Sequence, residues 1–119
     1  MVKDSLGGYR LLPAAEADLE DIWQYSAKQW SAEQADRYTD ELASTFDLLV
    51  SMPKIAPERH EFSPPVRIHA HSRHLIVYRI DDGYLAIVRV LGSRQNWRIL
   101  LENQQEVRFA DQPEGDTSS

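Results

Sequence analysis

The stretch VRIHAHSRHLIVYRIDDGYLAIVRVLGSRQNWRILL, Val66 to Leu101, decides how this chain is read. Asp82-Gly83 lies between two runs rich in Ile, Val, Leu and Tyr. A two-residue Asp-Gly turn needs positive φ at its centre, so this pattern is the strongest short-range signal for a β-hairpin. Three strands are expected, over Val66–His71, His74–Ile80 and Tyr84–Leu91. If Asp82-Gly83 is the turn, Asp81 pairs with Tyr84, Ile80 with Leu85 and Tyr78 with Ile87. Strict alternation then puts Ile76, Tyr78, Ile80, Leu85, Ile87, Arg89 and Leu91 on one face. Leu75, Val77, Arg79, Tyr84, Ala86, Val88 and Val90 take the other. Both faces are apolar, and one helix layer can cover only one of them. The second face needs a cover, either a partner molecule or the chain's own Trp97, Leu100 and Leu101. Removing a few such side chains from water is worth several kcal/mol at ~25 cal/mol per Å². We take the uncovered face as a sign of an obligate partner.

Upstream, Tyr9–Leu12 is a short β-type run halted by Pro13. Proline disfavours helix in the residue before it and fits the first helical position, so a helix is expected from Pro13 or Ala14. Leu12 is then a poor N-cap, partly offset by Glu16 and Asp18 against the helix dipole. Ala15, Leu19, Ile22, Trp23, Ser26, Ala27 and Trp30 recur at helical spacing to about Trp30. Ser31 to Gln34 has the form of a capping box and opens a second helix, Ala32 to Ser51. Its stripe is Ala35, Tyr38, Leu42, Thr45, Phe46 and Leu49. With almost no loop between them, the two helices should form an antiparallel hairpin. Trp23, Trp30 and Tyr38 sit at core spacing and are read as packing. Glu16, Glu20 and Asp21 are read as solvated. Pro53–Pro65 holds four prolines without a period and is read as a surface loop.

Length and charge set further bounds. At 119 residues the chain is one domain. We expect a flexible leader over 1–8, a single domain over 9–101, and an acidic, mostly disordered tail over 102–119. No run is long enough to span a bilayer and no signal peptide is evident, so a soluble cytoplasmic protein is expected. No cysteine is present, which excludes disulfides and thiolate chemistry. The net charge of −6 is uneven. Tyr9 to Pro53 carries three basic and nine acidic residues, and Lys54 to Leu101 carries eight and four. A basic second half suits an acidic partner surface, or it is one differently solvated face. Arg67, Arg73, Arg79, Arg89, Arg94 and Arg98 fall there with His69, His71 and His74. No nucleophile or carboxylate shows a fixed spacing to them, and the histidines lack a third metal ligand.

The order strand, helix hairpin, proline loop, three strands and basic end resembles the RelE/ParE toxin superfamily, and within it the ParE branch. The stretches that carry the likeness are YRLLPAAEADLEDIWQYSAKQW (Tyr9 to Trp30), MPKIAPER after the second helix, and HLIVYRIDDGYLAIVRVLGSR (His74 to Arg94). The resemblance implies an α+β fold in which an N-terminal strand and an antiparallel helix hairpin precede a three-stranded antiparallel meander and a polar C-terminal tail. It also implies the toxin of a type II toxin–antitoxin module, of the kind tied to plasmid stabilisation. Such a toxin binds and inhibits DNA gyrase and is neutralised by a cognate ParD-like antitoxin in a hetero-oligomer. No cofactor, no metal, no membrane contact and no specific nucleic-acid binding by the toxin alone are implied.

The mRNA-cleaving RelE branch places a basic residue directly before the LVY-like run of the middle strand. It places another just after the last strand, and often a Tyr six residues later. Arg94 fits the second position, but Leu75 and Leu100 stand at the other two, so the nuclease set is incomplete. Gly92 stands where ParE-like sequences often carry His. An inhibitory toxin is therefore expected rather than an enzyme. An mRNA interferase, or a degenerate non-toxic member, remains open. Arg73, Arg79 and Arg89, with Leu75 and Val77, are the expected antitoxin-binding residues. Arg94, Trp97 and Arg98 are the expected target-binding end, since Arg and Trp dominate interface hot spots. Trp97 capping the core, with both arginines solvated, is the equal alternative.

Overall fold

A computed structural model describes residues 6–102 and 108–109. Strand β1 (Tyr9–Leu11) leads into helices α1 (Pro13–Gln29) and α2 (Ala32–Ser51). Two short strands follow, β2 (Glu58–Arg59) and β3 (Phe62–Ser63). The meander is β4 (Val66–His71), β5 (His74–Asp81) and β6 (Tyr84–Gly92), followed by α3 (Trp97–Glu102) and β7 (Arg108–Phe109). The main sheet runs β1-β6-β5-β4-β2, with β1 parallel to β6 and the other pairs antiparallel. This is the expected α+β architecture, with the helix hairpin on one face. A second, two-stranded sheet joins β3 to β7. The loop expected over Pro53–Pro65 thus holds two strands too short to show a period. Met1–Ser5 of the leader lie outside the described residues, as does the acidic tail beyond Glu102 apart from Arg108–Phe109.

The sequence signals act locally as physics requires. Asp82 and Gly83 both have positive φ, 54° and 83°, which matches the right-handed twist of the flanking strands. Leu12 supplies no side-chain cap to α1, and Pro13 fills its first turn. The Ser31 hydroxyl accepts from the Gln34 amide at 3.0 Å, capping α2. Of the α2 stripe, Ala35, Leu42, Thr45, Phe46 and Leu49 are buried.

The strand faces depart from strict alternation. Tyr78 pairs with Ile87, but Val77 pairs with Arg89, so a β-bulge leaves Val88 as the extra residue. Beyond it the side-chain pattern shifts by one. Val90 joins Ile76, Tyr78, Leu85 and Ile87 beneath the helices, against Ile22, Leu42, Phe46 and Leu49. Leu91 moves to the opposite face, with Val77 and Val88. The assignment of Leu91 and Val90 by alternation is corrected accordingly.

The second face is closed from within. Val77, Val88 and Leu91 pack with Phe62, Val66 and Leu101, and Leu12, Ile68, Trp97 and Leu100 border them. Leu101 and Val77 are both 0% exposed. The expectation of an apolar face awaiting a partner is therefore overturned. Helix α3 is short, but one fully buried leucine flanked by Trp97 and Leu100 closes the gap. Val77, one of the expected antitoxin-binding residues, is buried in this core.

Candidate functional site

A groove of about 1280 Å³ opens between the helix hairpin and the ends of β5 and β6. Its wall at β6 is organised by Asp18. Strand β1 covers β6 only as far as Ile87, whose carbonyl accepts from the Leu12 amide at 3.0 Å. Past that point Asp18 takes over as edge partner. Its Oδ2 accepts from the Val90 amide at 2.9 Å and from Arg89 Nε at 2.7 Å, and Oδ1 accepts from Arg89 Nη2 at 2.8 Å. Two-point pairing of a carboxylate with a guanidinium fixes direction as well as distance. Hydrogen bonding to Asp18 holds the Arg89 guanidinium above its ordinary pKa.

The floor is a cluster between α2 and the β4–β5 turn. The Tyr38 hydroxyl lies 2.7 Å from His74 Nδ1, and its ring is tilted against both His71 and His74. Burial pushes the Tyr38 phenol up and keeps it protonated. Burial, with Arg73 and His71 nearby, pushes His74 down from its usual value. A neutral imidazole accepting from a protonated phenol is the state both shifts favour. Behind it, Thr45 Oγ1 lies 3.3 Å from His71 Nδ1, and Glu41 lies 3.5 Å from His71 Nε2. Among the described residues, no three His, Cys, Asp or Glu side chains converge as a metal set.

The rim carries cations, aromatic faces and amides. Ser72 (φ 54°) tightens the turn that presents Arg73, whose guanidinium stacks 5.3 Å from the Trp30 ring centre. Arg37, Arg94, Gln34 and Gln95 also line the groove. The Gly92 amide donates to Gln95 Oε1 at 2.8 Å, closing the turn around Arg94. These groups are suited to recognition of an anionic or amphipathic partner.

The expected site residues are divided among three places. Arg73 is exposed on the groove and Leu75 is half-buried nearby on β5. Arg79 lies on the far side of the sheet, with Nη2 3.8 Å from Asp81. Arg89 is committed to Asp18 rather than presented to solvent. The expected target end is split as well. Arg94 opens into the groove, whereas Arg98 and Arg59 stack on Trp97 and share Glu61. Trp97 is half-buried against the second core, which agrees with the packing alternative. Trp30, read as core, is 54% exposed. Trp23 is half-buried, and its Nε1 donates to Asp36 at 2.8 Å in an exposed contact between α1 and α2. Sequence reading missed Asp18, Arg37 and Tyr38 as site residues. Asp18 and Arg89 are 71 positions apart, and neither residue type has a local signature for such a contact.

The sequence model of one family, "ParE toxin of type II toxin-antitoxin system, parDE", matches residues 9–97. Toxin ParE1 of Caulobacter vibrioides is 36% identical over 90 residues, covering 76% of this chain and 93% of that protein. Toxin ParE1 of Mycobacterium tuberculosis is 35% identical over 89 residues, covering 74% and 91%. A solved chain from the chromosomal ParDE TA system of P. aeruginosa shares the fold, with a TM-score of 0.65 at 16% identity, over 76% of this chain and 98% of that one. No helix among the described residues is long and apolar enough to cross a membrane.

Proposed function

Since this chain belongs to the ParE family of type II toxin–antitoxin toxins, we propose that it acts by binding and inhibiting DNA gyrase, and that a cognate ParD-like antitoxin neutralises it. The observation that carries the binding reading over a nuclease reading is the pair Leu75 and Leu100. These apolar residues stand at two of the positions where the mRNA-cleaving branch carries a basic residue and a tyrosine. A nuclease needs charge and proton donors around the scissile phosphate, and leucine provides neither.

The antitoxin surface is the helix hairpin with the groove edge at Arg73; Leu75, on the opposite sheet face with Leu91, would join it only if the antitoxin wraps around the end of β5. An amphipathic segment laid there would bury apolar side chains against the hairpin and set acidic groups on Arg73. Arg79 would contribute only if the antitoxin also reaches the far face of the sheet. The target surface is built from Arg94 on the groove side and Trp97 with Arg98 on the other. The mRNA-cleaving alternative retains one supporting observation. Arg94 stands at the basic position after the last strand and lines the same groove as Tyr38 and His74.

Induction of the protein in a bacterial host tests the proposal. Growth arrest with an SOS response, intact mRNA, and rescue by the co-expressed neighbouring small open reading frame are expected. Arrest with site-specific mRNA cuts and no DNA damage would replace gyrase by the ribosome.

A further inference from the structure

The two layers of this molecule differ in charge. The helix layer, Pro13 to Ser51, holds nine acidic and two basic residues, net −7. The sheet face turned away from it carries arginines. Tyr9 and Leu11 pack on the helix-side core and Leu12 on the second core, so alternation turns Arg10 to the far face. Arg79 shares that face with Val77, and both arginines pair in register with Ala86. Arg59 and Arg98 stand farther along it beside Trp97, which borders the second core. Glu61 is shared by Arg59 and Arg98, and Asp81 lies 3.8 Å from Arg79. Glu58 is turned to Arg67 and His60. Arg10 has no carboxylate partner among the described residues. With Asp82 of the turn and Glu102 of α3 counted, the four arginines on this face are balanced. An acidic partner is therefore repelled by the helix layer and not by this face.

Two arginine–aromatic stacks mark the ends of the face. Arg10 lies 4.8 Å from the ring centre of Tyr84, which is 41% exposed. Arg98 lies 4.9 Å from that of Trp97, with Arg59 at 5.6 Å. Tyr84 begins β6, and Leu91, in the core that Trp97 borders, lies near its end. At ~3.3 Å per residue the stacks stand on the order of 20 Å apart, within the width of a protein interface. A guanidinium already held on a ring loses little freedom when its donors meet a carboxylate. The interspersed carboxylates suit a protein that offers acidic groups at separate points, and they oppose the continuous charge of a nucleic acid. On the reading of this chain as a toxin that acts by binding, we propose that this face contacts the target, a protein presenting carboxylates to the Arg10–Tyr84 and Arg98–Trp97 stacks. Arg10 and Tyr84 are thereby target-contacting residues, and the helix hairpin is left to the antitoxin.

The test measures growth arrest in an induced host and inhibition of supercoiling by purified gyrase, both with the full chain. Arg10→Gln with Arg98→Gln is expected to keep its thermal midpoint and its capture by the co-expressed antitoxin. Its half-inhibiting concentration is expected to rise at least about 10-fold, as for loss of an interface hot spot, and arrest to weaken with it. Arg10→Glu breaks no ion pair and repeats the test if the double variant folds poorly. It is expected to lose more than Arg10→Gln, because the reversed charge repels the partner. Lys54→Gln, an exposed cation in the loop after α2, is expected to inhibit as wild type. A folded double variant that inhibits and arrests as wild type would overturn the proposal and leave gyrase inhibition standing. So would one that no longer captures the antitoxin, since the face would then belong to the antitoxin. If the wild type arrests growth with supercoiling and mRNA both intact, gyrase is removed as the target. Loss of that arrest in the double variant would then keep this face for another protein, and unchanged arrest would overturn it. Site-specific mRNA cuts by the wild type, or no arrest at all, would overturn both readings.

Discussion

Asp18 on α1 holds Arg89 on β6 through both carboxylate oxygens, at 2.7 and 2.8 Å, and the same carboxylate accepts the Val90 amide. One side chain thereby continues the sheet edge where β1 ends and fixes α1 against the wall of the groove. The pair is largely shielded, with side chains 12% and 16% exposed. Removing one member leaves a guanidinium and an amide without their acceptor. Asp18→Ala is expected to cost about 2–4 kcal/mol, after some discount for residual solvent. Asp18→Asn should cost less, because one oxygen still accepts. Urea unfolding of both variants checks the order.

The closure of the second sheet face depends on Leu101. Leu101→Ala deletes a fully buried side chain and is expected to destabilise by about 2–4 kcal/mol. Ile99, in the same helix but half exposed, should tolerate alanine within about 0.5 kcal/mol. Equal thermal midpoints for the two variants would mean that α3 does not seal this face in solution.

His74 makes stability depend on pH. Its folded pKa lies below the usual histidine value, so the unfolded chain takes up a proton at a higher pH than the native chain does. Its contribution is present above the ordinary histidine pKa and is lost as pH falls from there toward the depressed value. Chemical denaturation at pH 7.5 and 5.5 should show a smaller loss for His74→Gln than for the wild type. An identical loss would remove His74 from the acid response.

Much of the fold follows from local chemistry. Asp82-Gly83 sets the hairpin, Pro13 and Ser31 start the helices, and the α2 stripe is buried nearly residue for residue. Two features escape such reading. A bulge at Val88 lies among β-branched residues that fit either face, so nothing local marks the shift that exchanges Val90 and Leu91. The closing of the second face requires Leu101 to meet Phe62 and Val66, contacts made only after the chain folds. The site was less legible for the same reason. Arg89 could be seen to be basic, but its partner sits 71 positions earlier. Arg37 lies in the acidic half, where overall charge hides it.

The proposed target end now has two separable parts. Trp97→Ala is expected to destabilise by about 1–3 kcal/mol because it borders the second core. Arg94→Ala with Arg98→Ala should leave the thermal midpoint and antitoxin binding unchanged and abolish growth arrest. The single variants then assign the effect to the groove side or the Trp97 side. A folded double variant that still arrests growth as well as wild type would remove this surface from the target contact.

The most direct test of gyrase inhibition by binding uses purified components. Relaxed plasmid, gyrase and ATP are incubated with the full chain, and ribosome-bound mRNA is treated with it in parallel. Loss of supercoiling that is restored by the purified antitoxin, with the mRNA left intact, is the expected result. Undisturbed supercoiling together with cleavage of the ribosome-bound mRNA would contradict it.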